Sequence, residues 1–247
     1  MKFKNLLFLV AFTFSIAAFA QDIKTADEVL SKYLANTGGL EKWKALKTVK
    51  MTGKASMQGM DLPVTLFKKE PVKQKMLIQV QGTEIVQAYD GVDAWMINPF
   101  MGGKDPVKMT EEQALEFKDQ KFEDEFIDYK KKGHEVTLMG NEEVEGVKCY
   151  KIQLIKNKNN DKEDVTEVHY FDAENFVPIL QVSYVRVGPD KGKEVKTYLS
   201  DYQDVNGLMM PFFIEQKMNG QSFQKITIEK AFTNEPMEDS MFVFPKK

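Results

Sequence analysis

From residue 49 onward the chain repeats one pattern: a short run of alternating apolar and polar side chains, then a turn, then another run. Period-two alternation closed by turn chemistry is the signature of antiparallel hairpins and excludes a helical bundle or a parallel α/β sheet. Candidate strands cover about residues 49–57, 62–69, 74–81, 84–89 and 94–98, and then 135–139, 148–155, 165–171, 178–187, 194–203, 208–218 and 223–232. Gln58-Gly59, Glu70-Pro71, Gln81-Gly82, Asp90-Gly91, Glu145-Gly146, Asn206-Gly207 and Asn219-Gly220 supply the turns. Twelve such strands exceed what a flat open sheet tolerates without curling, so the expectation is a barrel or a strongly curved half-barrel.

Helical signals interrupt the meander in two places. Thr25-Ala26-Asp27-Glu28 is a capping box, followed by Val29, Leu30, Tyr33 and Leu34 on one helical face. Gly38-Gly39 ends this helix, and Leu40, Trp43 and Leu46 mark a second short turn. Between the two meanders, Asn98 to Pro106 carries two prolines and two glycines, which predicts a loop presenting Phe100 and Met101. Thr110 and Gln113 form a second capping box. Ala114, Leu115, Phe117, Phe122, Phe126, Ile127 and Tyr129 then predict two helical turns or one kinked helix ending at Lys130-Lys131-Lys132-Gly133. Without a Gly-, Ser- or Pro-rich linker in the meander, residues 21–247 read as one domain.

Residues 1–20 read as a secretory leader. Lys2 and Lys4 precede the apolar stretch Leu6 to Ala18, and Ala18-Phe19-Ala20 fits a small-x-small cleavage site, so the mature chain begins at Gln21. The apolar run is shorter than the ~20 residues a spanning helix needs. A lipoprotein signal would place cysteine after the cleavage site, where Gln21 stands, so the expected product is periplasmic and not acylated. The single cysteine, Cys149, falls in an alternating strand and reads as a buried thiol.

Charge and motifs remove several function classes. With 34 basic against 37 acidic residues the chain offers no basic field for nucleic acid. Arg186 is its only arginine, which leaves little scope for guanidinium clamps on phosphate. The two histidines, His134 and His169, fall on different strands or strand edges, are expected to be partly exposed, and lack zinc-ligand spacing. No G-x-S-x-G elbow, phosphate loop or G-x-G-x-x-G is present, so no catalytic residue, metal or cofactor is expected. What stands out is apolar: 14 Met and 18 Phe, an adaptable set able to line a pocket for flexible chains or simply to fill a core.

The leader, the N-terminal helix, the stretch Tyr89-Asp90-Gly91-Val92-Asp93-Ala94-Trp95-Met96-Ile97-Asn98-Pro99, the helical insert and the second meander together resemble the outer-membrane lipoprotein-sorting (LolA/LolB-like) family. Asn36-Thr37-Gly38-Gly39-Leu40-Glu41-Lys42-Trp43 and the closing Asp239-Ser240-Met241-Phe242-Val243-Phe244-Pro245 are similar to pieces of its Bacteroidetes members. The resemblance implies a mainly β fold with some α: an unclosed antiparallel half-barrel with an N-terminal helix and a helical lid. It also implies a periplasmic carrier or chaperone that holds acyl chains of lipoproteins or other lipids for transport to the outer membrane, with inner- and outer-membrane transport components as partners. The family's functional arginine on an early strand has no counterpart here, where Lys50, Lys54, Lys68 and Lys69 stand. Trp95, Ile97, Phe100, Met101, Leu115, Phe122 and Phe126 are the expected ligand-binding residues, subject to strand phase, which decides which alternate residues point inward. A sensor or interaction module on the same half-barrel, or a structural protein without ligand, are the competing expectations.

Overall fold

The computed structural model describes residues 23–57, 59–101, 103–156 and 164–245; the expected leader lies outside them. Thr25 caps α1 (Ala26–Asn36) in a reciprocal box with Glu28, as its spacing predicts, and α2 (Leu40–Ala45) follows after Gly38-Gly39. The first meander comprises β1 (Thr48–Met57), β2 (Met60–Lys69), β3 (Lys73–Val80), β4 (Thr83–Tyr89), β5 (Ala94–Asn98) and β6 (Gly103–Lys108). After α3 (Glu111–Asp119) come β7 (Glu135–Val144), β8 (Val147–Lys156), β9 (Val165–Asp172), β10 (Pro178–Tyr184), β11 (Glu194–Val205), β12 (Leu208–Met218) and β13 (Gln221–Thr233).

All 13 strands form one antiparallel sheet in the order β6-β5-β4-β3-β2-β1-β13-β12-β11-β10-β9-β8-β7. Each meander is one wing, and the wings join where β1 pairs with β13, Val49 opposite Thr233. The terminal strands β6 and β7 are not neighbours, so the sheet curls without closing. At the join, β13 carries a bulge at Glu229, opposite the step from Thr52 to Gly53, and a Cβ at Gly53 would stand 2.0 Å from the Thr227 carbonyl oxygen. Only glycine admits that approach.

Register assigns the two faces. Val49, Lys68, Gln74, Tyr89 and Ala94 are successive cross-strand partners from β1 to β5 and share the inner face, which carries all three helices. Lys50, Phe67, Lys75, Ala88 and Trp95 are the corresponding partners on the outer face. Four core clusters line the inner face, one of them, around Ala55, Val64 and Ile78, built by strands alone. Val29, Leu30 and Tyr33 of α1 pack on Ile152, Leu154 and Phe171; Trp43 and Leu46 pack on Val49, Met210 and Phe212; Ala114 and Phe117 of α3 pack on Tyr89 and Ala94. Gly38, at φ +120°, meets the turn between β11 and β12, where any Cβ would stand 2.2 Å from the Gly207 carbonyl oxygen. The glycine pair thus ends α1 and also seats it on the second wing.

Three expectations need correction. Residues 103–108 form a strand, not a loop: Met96 pairs with Val107 and Trp95 with Lys108, and Pro106 is tolerated because β6 is an edge strand. The insert helix stops at Asp119, residues 120–124 are irregular, and residues 125–133 run as consecutive turns. The histidines are not partly exposed: His169 is buried and the side chain of His134 is 9% exposed. Cys149 is a buried free thiol, and burial pushes its pKa up to about 11.

Candidate functional site on the inner face

An apolar inner face on an open sheet needs a cover, and one continuous stretch of chain, from α3 to His134, supplies most of it. Ala114 and Phe117 hold it to the first wing, Phe122 packs beside Trp43 over the join, and Phe126 inserts into the α1 cluster. The cover is fixed largely by side-chain contacts. Tyr33 donates to Asp124 (2.7 Å), Tyr129 and Lys130 meet Asp27 (2.7 and 2.8 Å), and Lys44 pairs with Asp128 (2.8 Å). At its far end Asp119 pairs with Arg186, and the Gly188 N–H donates to Glu112 (3.0 Å), which ties α3 across to the loop after β10. We call residues 111–134 the strap.

Beneath the middle of the strap lies a small cleft, about 10 Å³ and half-open to solvent, between β2, the start of β3 and Phe122. Its walls are Lys68, Val72, Lys73, Gln74, Gln120, Lys121 and Phe122, with no carboxylate among them. Lys68 extends the inner-face series Leu62, Val64, Leu66 on β2, so an ammonium stands where the pattern elsewhere places an alkyl group. Solvent reaches its side chain, yet protein surrounds the ammonium, and the lost hydration lowers its pKa.

A second polar group lies under Phe126. Glu167 receives Lys156 (2.6 Å), His169 (3.1 Å) and Gln181 (3.1 Å), while Glu125 of the strap meets His134 (3.1 Å). The Phe126 ring stands edge-on to His169 at 4.9 Å. Burial opposes ionisation of Glu167, but the His169 hydrogen bond and the Lys156 charge outweigh it and hold its pKa at about 2. A lysine occupies the centre of this network, and among the described residues no group of three or more His, Cys, Asp or Glu side chains could hold a metal ion.

The structure separates the predicted site residues into three places. Phe122 and Phe126 belong to the strap and pack onto the inner face, and Leu115 is partly buried on α3. Trp95 and Ile97 face outward, where the indole donates to the Phe242 carbonyl (2.7 Å) and packs edge-on against Phe244 of the C-terminal tail. Phe100 and Met101, 56% and 83% exposed, stand at the end of the sheet that also displays Met60, Tyr184 and Phe223. Lys68 and Trp43 escaped the sequence reading, although the phase of Lys68 behind Leu62, Val64 and Leu66 was there to find it.

This architecture, an open antiparallel sheet strapped across a curved apolar face, defines an unclosed half-barrel. The chain has the LolA-like fold. It superposes on a LolA superfamily protein from Nitrosomonas europaea (TM-score 0.54, 13% identity, covering 90% of this chain and 98% of that one). A DUF1329 family protein from Desulfovibrio piger gives a TM-score of 0.59 at 13% identity over 88% and 96% of the two chains. A domain described as an outer membrane lipoprotein-sorting protein, from Vibrio parahaemolyticus, gives 0.55 at 13% identity over 87% and 94%. No family model and no curated protein matches the sequence.

Proposed function

We propose that this chain is an exported, unacylated periplasmic carrier that shelters acyl chains of lipoproteins or other lipids on its inner face and performs no catalysis. The observation that carries the reading is the construction of the cover: an apolar sheet face is closed by a turn-rich strap held by side-chain contacts, which can lift without breaking the sheet. The fold shared with the Vibrio lipoprotein-sorting domain supports the same class of cargo. The cleft holds about 10 Å³, room for about one water against the ~300 Å³ at which ligand pockets begin, so an acyl chain enters by displacing Phe122 and its neighbours. The exposed end bearing Phe100 and Met101 is the contact at which cargo passes to a membrane or an acceptor protein in the outer-membrane route.

Two measurements test this. Protein purified from its native periplasm, starting at Gln21 by intact mass, carries extractable lipid. In a Trp95→Phe variant the remaining indole, Trp43 on the inner face, shifts its emission when palmitate is added. A mass showing a diacylglycerol adduct would remove the free-periplasmic element. No binding of palmitate, monopalmitoylglycerol or a diacyl lipopeptide by calorimetry would favour a plain filled core.

A further inference from the structure

The carrier reading leaves the chemistry of the cargo's polar end open, and the inference that follows rests on that reading. We propose that the cleft at Lys68 is a seat for the oxyanion headgroup, carboxylate or phosphate, of a single amphiphile whose acyl chain runs under the strap.

Five features of the site agree. Lys68 lies on the inner face in register with Val49 and Gln74, beside the apolar stretch through Leu66 and Met51 that an acyl chain would follow. None of the cleft walls is acidic, although acidic residues outnumber basic ones in the chain as a whole. Lys73 on the cleft wall is already paired with Asp239 (2.7 Å), which leaves Lys68 and Lys121 as the cations facing the opening. Lys68 is exposed at the opening and has no carboxylate partner among the described residues, so its ammonium is free to take an incoming oxyanion in a charge-assisted contact. Gln74 and Gln120 add amide donors at the same opening.

Calorimetric titration of the full mature chain with four probes separates the outcomes: palmitate, palmitoyl-lysophosphatidate, neutral monopalmitoylglycerol and inorganic phosphate. The wild type is expected to hold the two anionic amphiphiles about tenfold more tightly than the neutral one, the effect of one charge-assisted contact. Lys68→Met abolishes that preference while retaining affinity for monopalmitoylglycerol, which also shows that the variant is folded; Lys68→Arg restores it. Equal affinity of the wild type for charged and neutral amphiphiles overturns the headgroup seat and leaves the carrier reading standing. Tight binding of phosphate alone, unaided by a chain, overturns it in favour of a free-anion site. Binding of none of the acyl probes removes both readings together.

Discussion

Asp119, the last residue of α3, forms an ion pair with Arg186, the only arginine of the chain, in the loop that leaves β10. A carboxylate at a helix C-terminus is electrostatically unfavourable, and the guanidinium offsets it while joining the two wings across the inner face. Both side chains are about one-third exposed, so the pair contributes at most about 1 kcal/mol to stability. Its effect should be kinetic. Arg186→Ala is expected to raise the rate of palmitate uptake in stopped-flow fluorescence several-fold with a small change in melting temperature. An unchanged rate would show that the strap opens elsewhere.

Acid should loosen the second wing. Glu167 has its pKa held at about 2, below the ordinary 4.5, so its ionised form favours the folded state above the ordinary value and that contribution drains away as pH falls toward 2. The groups facing it are Lys156, His169, Gln181 and, through Lys156, Glu125. Glu167→Gln is expected to cost on the order of 3 kcal/mol near neutrality, and the gap to wild type should narrow between about pH 5 and pH 2 in urea titrations. A gap constant over that range would mean that Glu167 is not the group responsible.

At the join of the wings, Gly53→Ala forces a methyl group against the Thr227 carbonyl. Backbone cannot yield as a flexible side chain would. A loss of about 2 kcal/mol is expected by chemical denaturation, in the range of overpacking. Gly59→Ala, in the next turn, has no atom within 4 Å and serves as the comparison, although its φ of +81° carries a strain cost of its own.

Phe100 and Met101 contribute little to the core because most of their surface is already in water. Replacing both with serine should change stability by less than about 1 kcal/mol. Transfer of bound lipid to acceptor vesicles should slow in the same variant. A large stability loss with transfer intact would place the pair in the core.

The sheet was legible because its determinants are local. Asn206-Gly207 and Asn219-Gly220 fix hairpins whatever the rest of the chain does. Both capping boxes form as spaced, with Thr25 on Glu28 and Thr110 on Gln113. Strand β6 escaped because tolerance of Pro106 depends on having no strand beyond it, a fact of sheet order and not of sequence. The phase of β5 escaped for a related reason. Ala94-Trp95-Met96-Ile97 is apolar on both faces because α3 covers one and the C-terminal tail the other, so alternation carried no sign there. His134 and His169 looked peripheral one at a time; only their shared neighbours, Glu125, Lys156 and Glu167 under Phe126, show them as parts of one network.

The pairing of β1 with β13 sets an order of events for a chain made N-terminus first. Each wing can zip from its own hairpins as it emerges, since every other neighbour in the sheet is also the next strand in sequence. The seam is different. Val49 must wait for Thr233, at the end of the last strand of the sheet, and until then β1 presents a bare edge of unpaired amides beside a half-finished apolar face. Assembly of the sheet therefore ends with its most aggregation-prone interval, and chains truncated before residue 221 should be captured by holdases or degraded rather than persist as a half-sheet.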